Sequence, residues 1–321
     1  MPLSSSARPT LADAVGRYAA HTGNPRVRAV EARLRAPRSV AVLGRSGVGC
    51  TAVARGLAGS GVRIVTSGAD VHVLVVAEAL KAEDQRDLGA GPTVIVLNKA
   101  DLSGRVPGGP LAEAGRIAGR IAAASGCPVV PTIAHLAAVD VDEEMAAALR
   151  TLAVTPADMT SVDAFVAAPH VVPGPVRRRL LERLDRFGIA HAVLAVADGA
   201  DGAQVAARLR ALSQVDAAVA RIGEFDAEVE YRRGCSALAG LRRVAAETRD
   251  DELASFLVSD QVVSAVMTSA ANVMEAAGVR VDLGDGLRSA VRWRHYADGP
   301  LNALHRRCAA DISRGLLRSQ Q

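Results

Sequence analysis

From residue 39 the chain alternates short apolar, β-branched runs with Ala- and Arg-rich stretches of helical spacing. The runs cover 39–43, 62–66, 71–76, 93–97 and 128–131; the helical stretches cover 51–58, 83–88, 110–124 and 143–152. Runs that are apolar throughout belong to strands covered on both faces, so the pattern predicts a parallel sheet flanked by helices. Before it, Leu11, Val15, Tyr18, Ala19, Val27, Val30 and Leu34 recur at helical spacing, broken at Gly23-Asn24-Pro25. After a Pro-rich loop at 169–175, a helix over 176–187, a further strand over 189–196 and a helix beyond 198–201 are expected. From about residue 212 the spacing is helical alone, with weak breaks at Gly278 and at Asp282-Leu283-Gly284-Asp285-Gly286. The expected organisation is an N-terminal helical segment (1–38), an α/β domain (39–212) and a helical bundle (213–321) that the N-terminal helices join.

Two short motifs bring chemistry to this frame. Gly44-Arg45-Ser46-Gly47-Val48-Gly49-Cys50-Thr51 follows the first predicted strand and opens a helix. It matches the phosphate-loop pattern G-x-x-x-x-G-K-[ST] except at the lysine. Glycines let successive backbone N–H groups turn toward phosphate oxygens, the helix N-terminus adds partial positive charge, and the Thr51 hydroxyl is suited to Mg²⁺. The bland alternative is a tight strand-to-helix turn. The second motif, Asn98-Lys99-Ala100-Asp101, ends the predicted strand 93–97. Asn-Lys-x-Asp at a strand end resembles the guanine-recognition element of GTPases, in which the aspartate accepts hydrogen bonds from the ring N–H and amine of guanine, the lysine stem lies along the base and the asparagine braces the loops. Only Lys81 and Lys99 are lysines in this arginine-rich chain, so a lysine at that place is informative.

With both motifs in order, residues 39–140 resemble the GTPase domain of the translation-factor, Era and dynamin-like superfamily. Ala69-Asp70-Val71-His72-Val73-Leu74-Val75-Val76 resembles the strand that precedes Asn-Lys-x-Asp in those proteins, and Val129-Val130-Pro131-Thr132-Ile133-Ala134 stands where their last base-contacting loop falls. The flanking helices resemble, in layout, the bundle of bacterial dynamin-like proteins. The resemblance implies bound GTP or GDP with Mg²⁺, a homodimer or a heterodimer with another GTPase, and a cytoplasmic location that can extend to the inner membrane face.

Departures from the family pattern are as telling. Cys50 stands where a lysine belongs, which removes a cation from the β- and γ-phosphates; Arg45 and Arg55 are candidates to replace it. Only 18 residues separate Thr51 from Asp70, too few for the usual switch loop, and Val65-Thr66-Ser67-Gly68 keeps the glycine of Asp-x-x-Gly without its aspartate. The expectation is a degenerate GTPase, at most weakly hydrolytic, acting as a regulatory or structural subunit. The rival reading is a non-enzymatic scaffold that keeps the fold and binds no nucleotide.

Composition trims the remaining options. Net charge is +4, but aromatics are 2% of residues and the arginines are dispersed, which argues against nucleic-acid binding. Four scattered cysteines and seven scattered histidines form no metal-ligand spacing. No run of about 18 apolar residues occurs, and Met1–Arg8 reads as a tail without an apolar core. Glu83, Asp84 and Asp87, like Asp140, Asp142, Glu143 and Glu144, read as solvated helix starts. Arg177-Arg178-Arg179 reads as an exposed helix face, and Trp293, His295 and Tyr296 as packing between bundle helices.

Overall fold

The computed structural model describes residues 10–89, 91–104, 106–284 and 286–319; the N-terminal tail and Asp285 lie outside them. The Thr10 hydroxyl accepts from the Asp13 N–H while the Asp13 carboxylate accepts from the Thr10 N–H, a reciprocal cap that starts α1 (Leu11–Thr22). Gly23 ends it in the left-handed region, and Asn24 with Pro25 starts α2 (Pro25–Arg35). The chain then enters β1 (Ser39–Leu43), α3 (Cys50–Ala58), β2 (Arg63–Ile64), β3 (Val71–Ala77), β4 (Thr93–Asn98), α4 (Gly109–Ser125) and β5 (Val129–Pro131).

All strand pairs are parallel, in the order β2-β1-β3-β4-β5. β4 is buried along its whole length and β3 nearly so, as covered strands of a parallel sheet must be. The chain leaves β1 toward β2 on one side and returns to β3 on the other. That reversal makes a crevice outside the carboxyl ends of β1 and β3, the place where open α/β sheets take ligands. The class is α/β.

Helices α5 (Glu143–Val154), α6 (Val162–Ala167), α7 (Gly174–Ala197), α8 (Gly202–Ser213) and α9 (Val215–Gly223) complete a unit spanning Arg38–Gly223. Its core joins Leu74, Ile95 and Leu97 of the sheet to Leu149, Phe165, Leu180, Leu184 and Ile189. Two expectations are corrected here. The segment 83–88 forms only a 3-10 turn, Asp84–Asp87, and 189–196 is the second half of α7, not a strand. Ile189, Ala192 and Ala195 are buried at helical spacing, so apolar content mimicked a strand while the period was that of a helix. α7 is kinked at Asp185, whose φ of 56° and ψ of 175° lie outside the helical region.

The second unit combines residues up to Pro37 with Glu224–Gln321. It contains α10 (Asp226–Thr248), α11 (Asp251–Leu257), α12 (Asp260–Ala276), α13 (Gly286–Ala297) and α14 (Ala303–Arg318). One apolar cluster packs α1 and α2 on Leu238, Leu241, Leu253 and Phe256. Another joins Trp293 and Ala297 to Met274, Cys308, Ile312 and Leu316. Trp293 is buried and meets Tyr296 edge to face at 5.4 Å, so this pair is packing. Among the described residues no single helix is long and apolar enough to cross a membrane.

Candidate functional site

The glycine loop leaves the end of β1 and is shaped by two contacts that only glycine permits. A Cβ on Gly44 would lie 2.6 Å from the Val75 carbonyl oxygen of β3, and one on Gly49 would lie 2.3 Å from Asn98 Nδ2. Gly49 also has φ +97°, a left-handed conformation that favours glycine. Arg45 is half-buried, Ser46 and Gly47 form the exposed crest, and Val48 is buried. Thr51 is exposed in the first turn of α3. No side chain caps α3, as is also the case for α4, α7, α10 and α12. The Ala52 and Val53 N–H groups bond back to the Gly49 carbonyl, and a helix start of this kind can offer its earlier amides to an anion or to water.

Asn98 ties this loop to two others. Its Nδ2 donates to the Val48 carbonyl at 2.9 Å, and its Oδ1 accepts from the Ala134 N–H at 3.0 Å and the Thr132 hydroxyl at 3.3 Å. At 5% exposure this amide has nearly every hydrogen-bonding position filled by protein. Lys99 takes a left-handed conformation (φ 60°, ψ 39°) that starts the 3-10 turn Ala100–Leu102, and its side chain is exposed. The Ala100 N–H bonds to the Thr132 carbonyl at 3.0 Å, which locks the turn to the segment after β5.

Asp101 follows, and its Oδ1 is buried without a hydrogen-bond partner. Burial is the main cause pushing its carboxyl above the ordinary range; its own backbone N–H and nearby His135 and Lys99 oppose the shift, while Asp185 adds to it. His135 belongs to the 3-10 turn after β5, and its Nε2 donates to the Leu184 carbonyl at 3.2 Å, at the kink of α7. An unpaired acceptor held in a rigid turn is poised to accept donors from a ligand.

Cys50 stays as read from the sequence, while Arg45, Asp84 and Arg177 change meaning. Cys50 is half-buried and burial pushes its thiol up, so a neutral S–H stands where the phosphate-loop pattern has an ammonium. Arg45 is committed elsewhere: its Nε lies 2.7 Å from Asp84 Oδ1 and its Nη2 3.4 Å from Oδ2. Asp84 is therefore no solvated helix start but a fully buried carboxylate. Burial would raise its pKa, yet Arg45, the Lys81 N–H and the charge of Lys81 together hold it below the ordinary range. No residue-type pattern announces a pair separated by 39 positions, so the sequence could not have revealed it. Arg177 is likewise buried, donating to the carbonyls of Phe165 and Ala168, and not part of an exposed face. Asp142 does cap α5, accepting from the Met145 N–H. Asp70 stands at the opposite end of the strands, where it accepts from the Ser39 N–H and hydroxyl.

The segment 65–70 after β2 brings no carboxylate to the crevice side, and among the described residues no three His, Cys, Asp or Glu side chains group as metal ligands. Comparison with protein-family models, curated proteins and solved structures finds no match to this chain.

Proposed function

We propose that the Arg38–Gly223 unit binds guanine nucleotide as a degenerate P-loop GTPase and works as a regulatory or structural subunit. One observation carries the reading: Asp101 Oδ1 is buried and unpaired in a turn that Asn98 fastens to the glycine loop. Guanine offers two N–H donors to such a carboxylate, whereas adenine turns a lone pair toward it. The mismatch leaves a buried charged acceptor unpaired, so guanine should be favoured at least about tenfold. The uncapped α3 and the glycine loop would face the phosphates, and the exposed Lys99 stem would lie along the base.

Thr51 is the only hydroxyl in the first turn of α3 and would be this chain's ligand to Mg²⁺. When bound, Mg²⁺ neutralises charge between the β- and γ-phosphates. With no acidic partner after β2, the fit to the ion rests on one side chain, and hydrolysis should be slow. Pairing with a second copy or with a complete GTPase is the matching proposal for partners. The scaffold reading draws on Cys50 and on the engagement of Arg45, which leave the glycine loop without a free cation of its own.

Calorimetric titration of nucleotide-stripped protein with GDP, GTP, GMP and ATP tests the proposal. Guanine nucleotides should bind and ATP should bind at least tenfold more weakly. Equal affinities for ATP and GTP, or no binding of either, would overturn it.

A further inference from the structure

Lys81 has no part in the base-binding turn, yet it is one of only two lysines in the chain. It lies on the segment that leaves β3, one side of the crevice. Directly after β3 the chain reverses at Glu78, a non-glycine residue with φ +68°, where the Ala79 N–H bonds to the Ala77 carbonyl at 2.8 Å. Such a tight three-residue turn is a strained conformation, and strain of this kind persists where the surrounding structure enforces it.

Three residues on, the segment is fastened. Asp84 Oδ2 accepts the Lys81 N–H at 2.8 Å and also meets Arg45 Nη2 at 3.4 Å. A single buried carboxylate oxygen thus fastens the Lys81 backbone to the side chain of a glycine-loop residue. Arg45 cannot leave without stranding a buried charge, so it is fixed as a brace. The Lys81 side chain is exposed; its charge favours the ionised Asp84, but among the described residues no ion pair or hydrogen bond fixes its ammonium. A four-carbon stem with a mobile point charge can reach phosphate from a neighbouring loop.

We propose that Lys81 supplies the phosphate-contacting cation that Cys50 cannot, with Asp84 and Arg45 as the positioning residues that hold its backbone beside the glycine loop. The inference rests on the nucleotide reading above and extends it to the triphosphate end. Lys81 is thereby a binding residue contributed from outside the glycine loop.

The test compares guanosine with GTP, because only GTP carries the phosphates. Titration of full-length protein should show Lys81→Met weakening GTP by about tenfold or more, the scale of a charge-assisted hydrogen bond, with guanosine unchanged. Lys81→Arg should restore most of the loss. Arg86→Met, which removes a neighbouring exposed charge, should cost less than about threefold, as expected for screened surface charge. Placing a lysine in the loop by Cys50→Lys should make a further Lys81→Met change nearly silent, the signature of two groups serving one contact. Guanosine binding with GTP affinity equal in wild type and Lys81→Met would refute the inference alone, as would an equal loss from Arg86→Met. Failure of wild type to bind either guanosine or GTP would refute the nucleotide reading and this inference with it.

Discussion

Asp101→Asn removes one negative charge from a side chain whose Oδ1 is buried and unpartnered, with almost no change in volume. A buried acceptor left unpaired costs about 1–3 kcal/mol, but the Asp101 side chain is only partly buried. Screening by solvent brings the recoverable part to about 1 kcal/mol or less. The sign follows from its pKa. The carboxyl is raised in the folded state, chiefly by burial, so the folded protein binds its proton more tightly than the unfolded chain does. Stability should therefore rise as pH falls from neutral toward the carboxylate range, and the variant should lack that rise. Without nucleotide, Asp101→Asn should melt higher by roughly 2–4 °C at neutral pH, the shift expected for about 1 kcal/mol in a domain of this size. With GDP at about one hundred times the wild-type Kd, the order should reverse, because the ligand adds about 2.7 kcal/mol to a protein that binds it and little to one that has lost the contact. An asparagine amide can instead donate to the C2 carbonyl of xanthine, so XDP should replace GDP as the stabilising ligand of the variant. Thermal melts with and without each nucleotide read all of this. A variant that melts lower when free and gains as much from GDP as wild type would refute the account of Asp101.

Other perturbations test the remaining supports. Gly49→Ala forces a Cβ to within 2.3 Å of Asn98 Nδ2 at a φ of +97°, and should cost about 1–3 kcal/mol of stability and most GTP affinity; denaturant titration and calorimetry would show either. Arg45→Met strands the buried Asp84 carboxylate and should lower the melting temperature, with Asp84→Asn in the same chain recovering part of the loss; a neutral Arg45→Met would contradict the brace. Because Asp84 is held below the ordinary carboxylate range, its contribution is present at neutral pH and is lost only as pH falls through that lowered value. Phosphate release assays on the isolated protein should show little multiple turnover of GTP and little dependence on Mg²⁺, and robust turnover would mean that a carboxylate reaches the crevice from elsewhere in the chain.

Strands were most legible inside the sheet, and the edge strand β5 was legible too, its expected run 128–131 meeting Val129–Pro131. β3 and β4 are paired on both sides and buried, and their apolar runs end within a residue or two of the observed elements. The run 62–66 delivered only Arg63–Ile64, an edge strand that pairs with β1 at two positions, Ser39 with Arg63 and Val40 with Ile64. Helix α7 misled over 189–196, since a stretch rich in Ile, Ala, Val and Leu carries a single polar residue, His191, too little to expose its period. The role of Asn98 was legible because it belongs to a motif whose asparagine is expected to brace loops, although its partners Val48, Thr132 and Ala134 are distant in the chain. Those of Asp84 and Arg177 were not, since neither belongs to a motif and their partners are set by the tertiary fold.

The glycine loop is held in shape from two sides by protein groups alone, through Val48 to Asn98 and through Arg45 to Asp84. In a loop whose form depended on a lysine and its phosphates, losing the lysine would also cost the geometry. Here Cys50 fills that position as a neutral thiol, with Sγ 3.0 Å from where a Cβ on Gly44 would stand, and the turn persists around it. A preformed loop has little ordering cost to meet on binding, so what is missing is one charge, not the cradle. The turn after β4, by contrast, keeps one carboxylate oxygen, Asp101 Oδ1, buried without a protein partner. On the proposed reading, binding energy in such a site would shift from the phosphates toward the base. Selectivity for guanine would then be compatible with slow hydrolysis, because the groups that would recognise the base and those that would transfer the phosphoryl group sit on different loops.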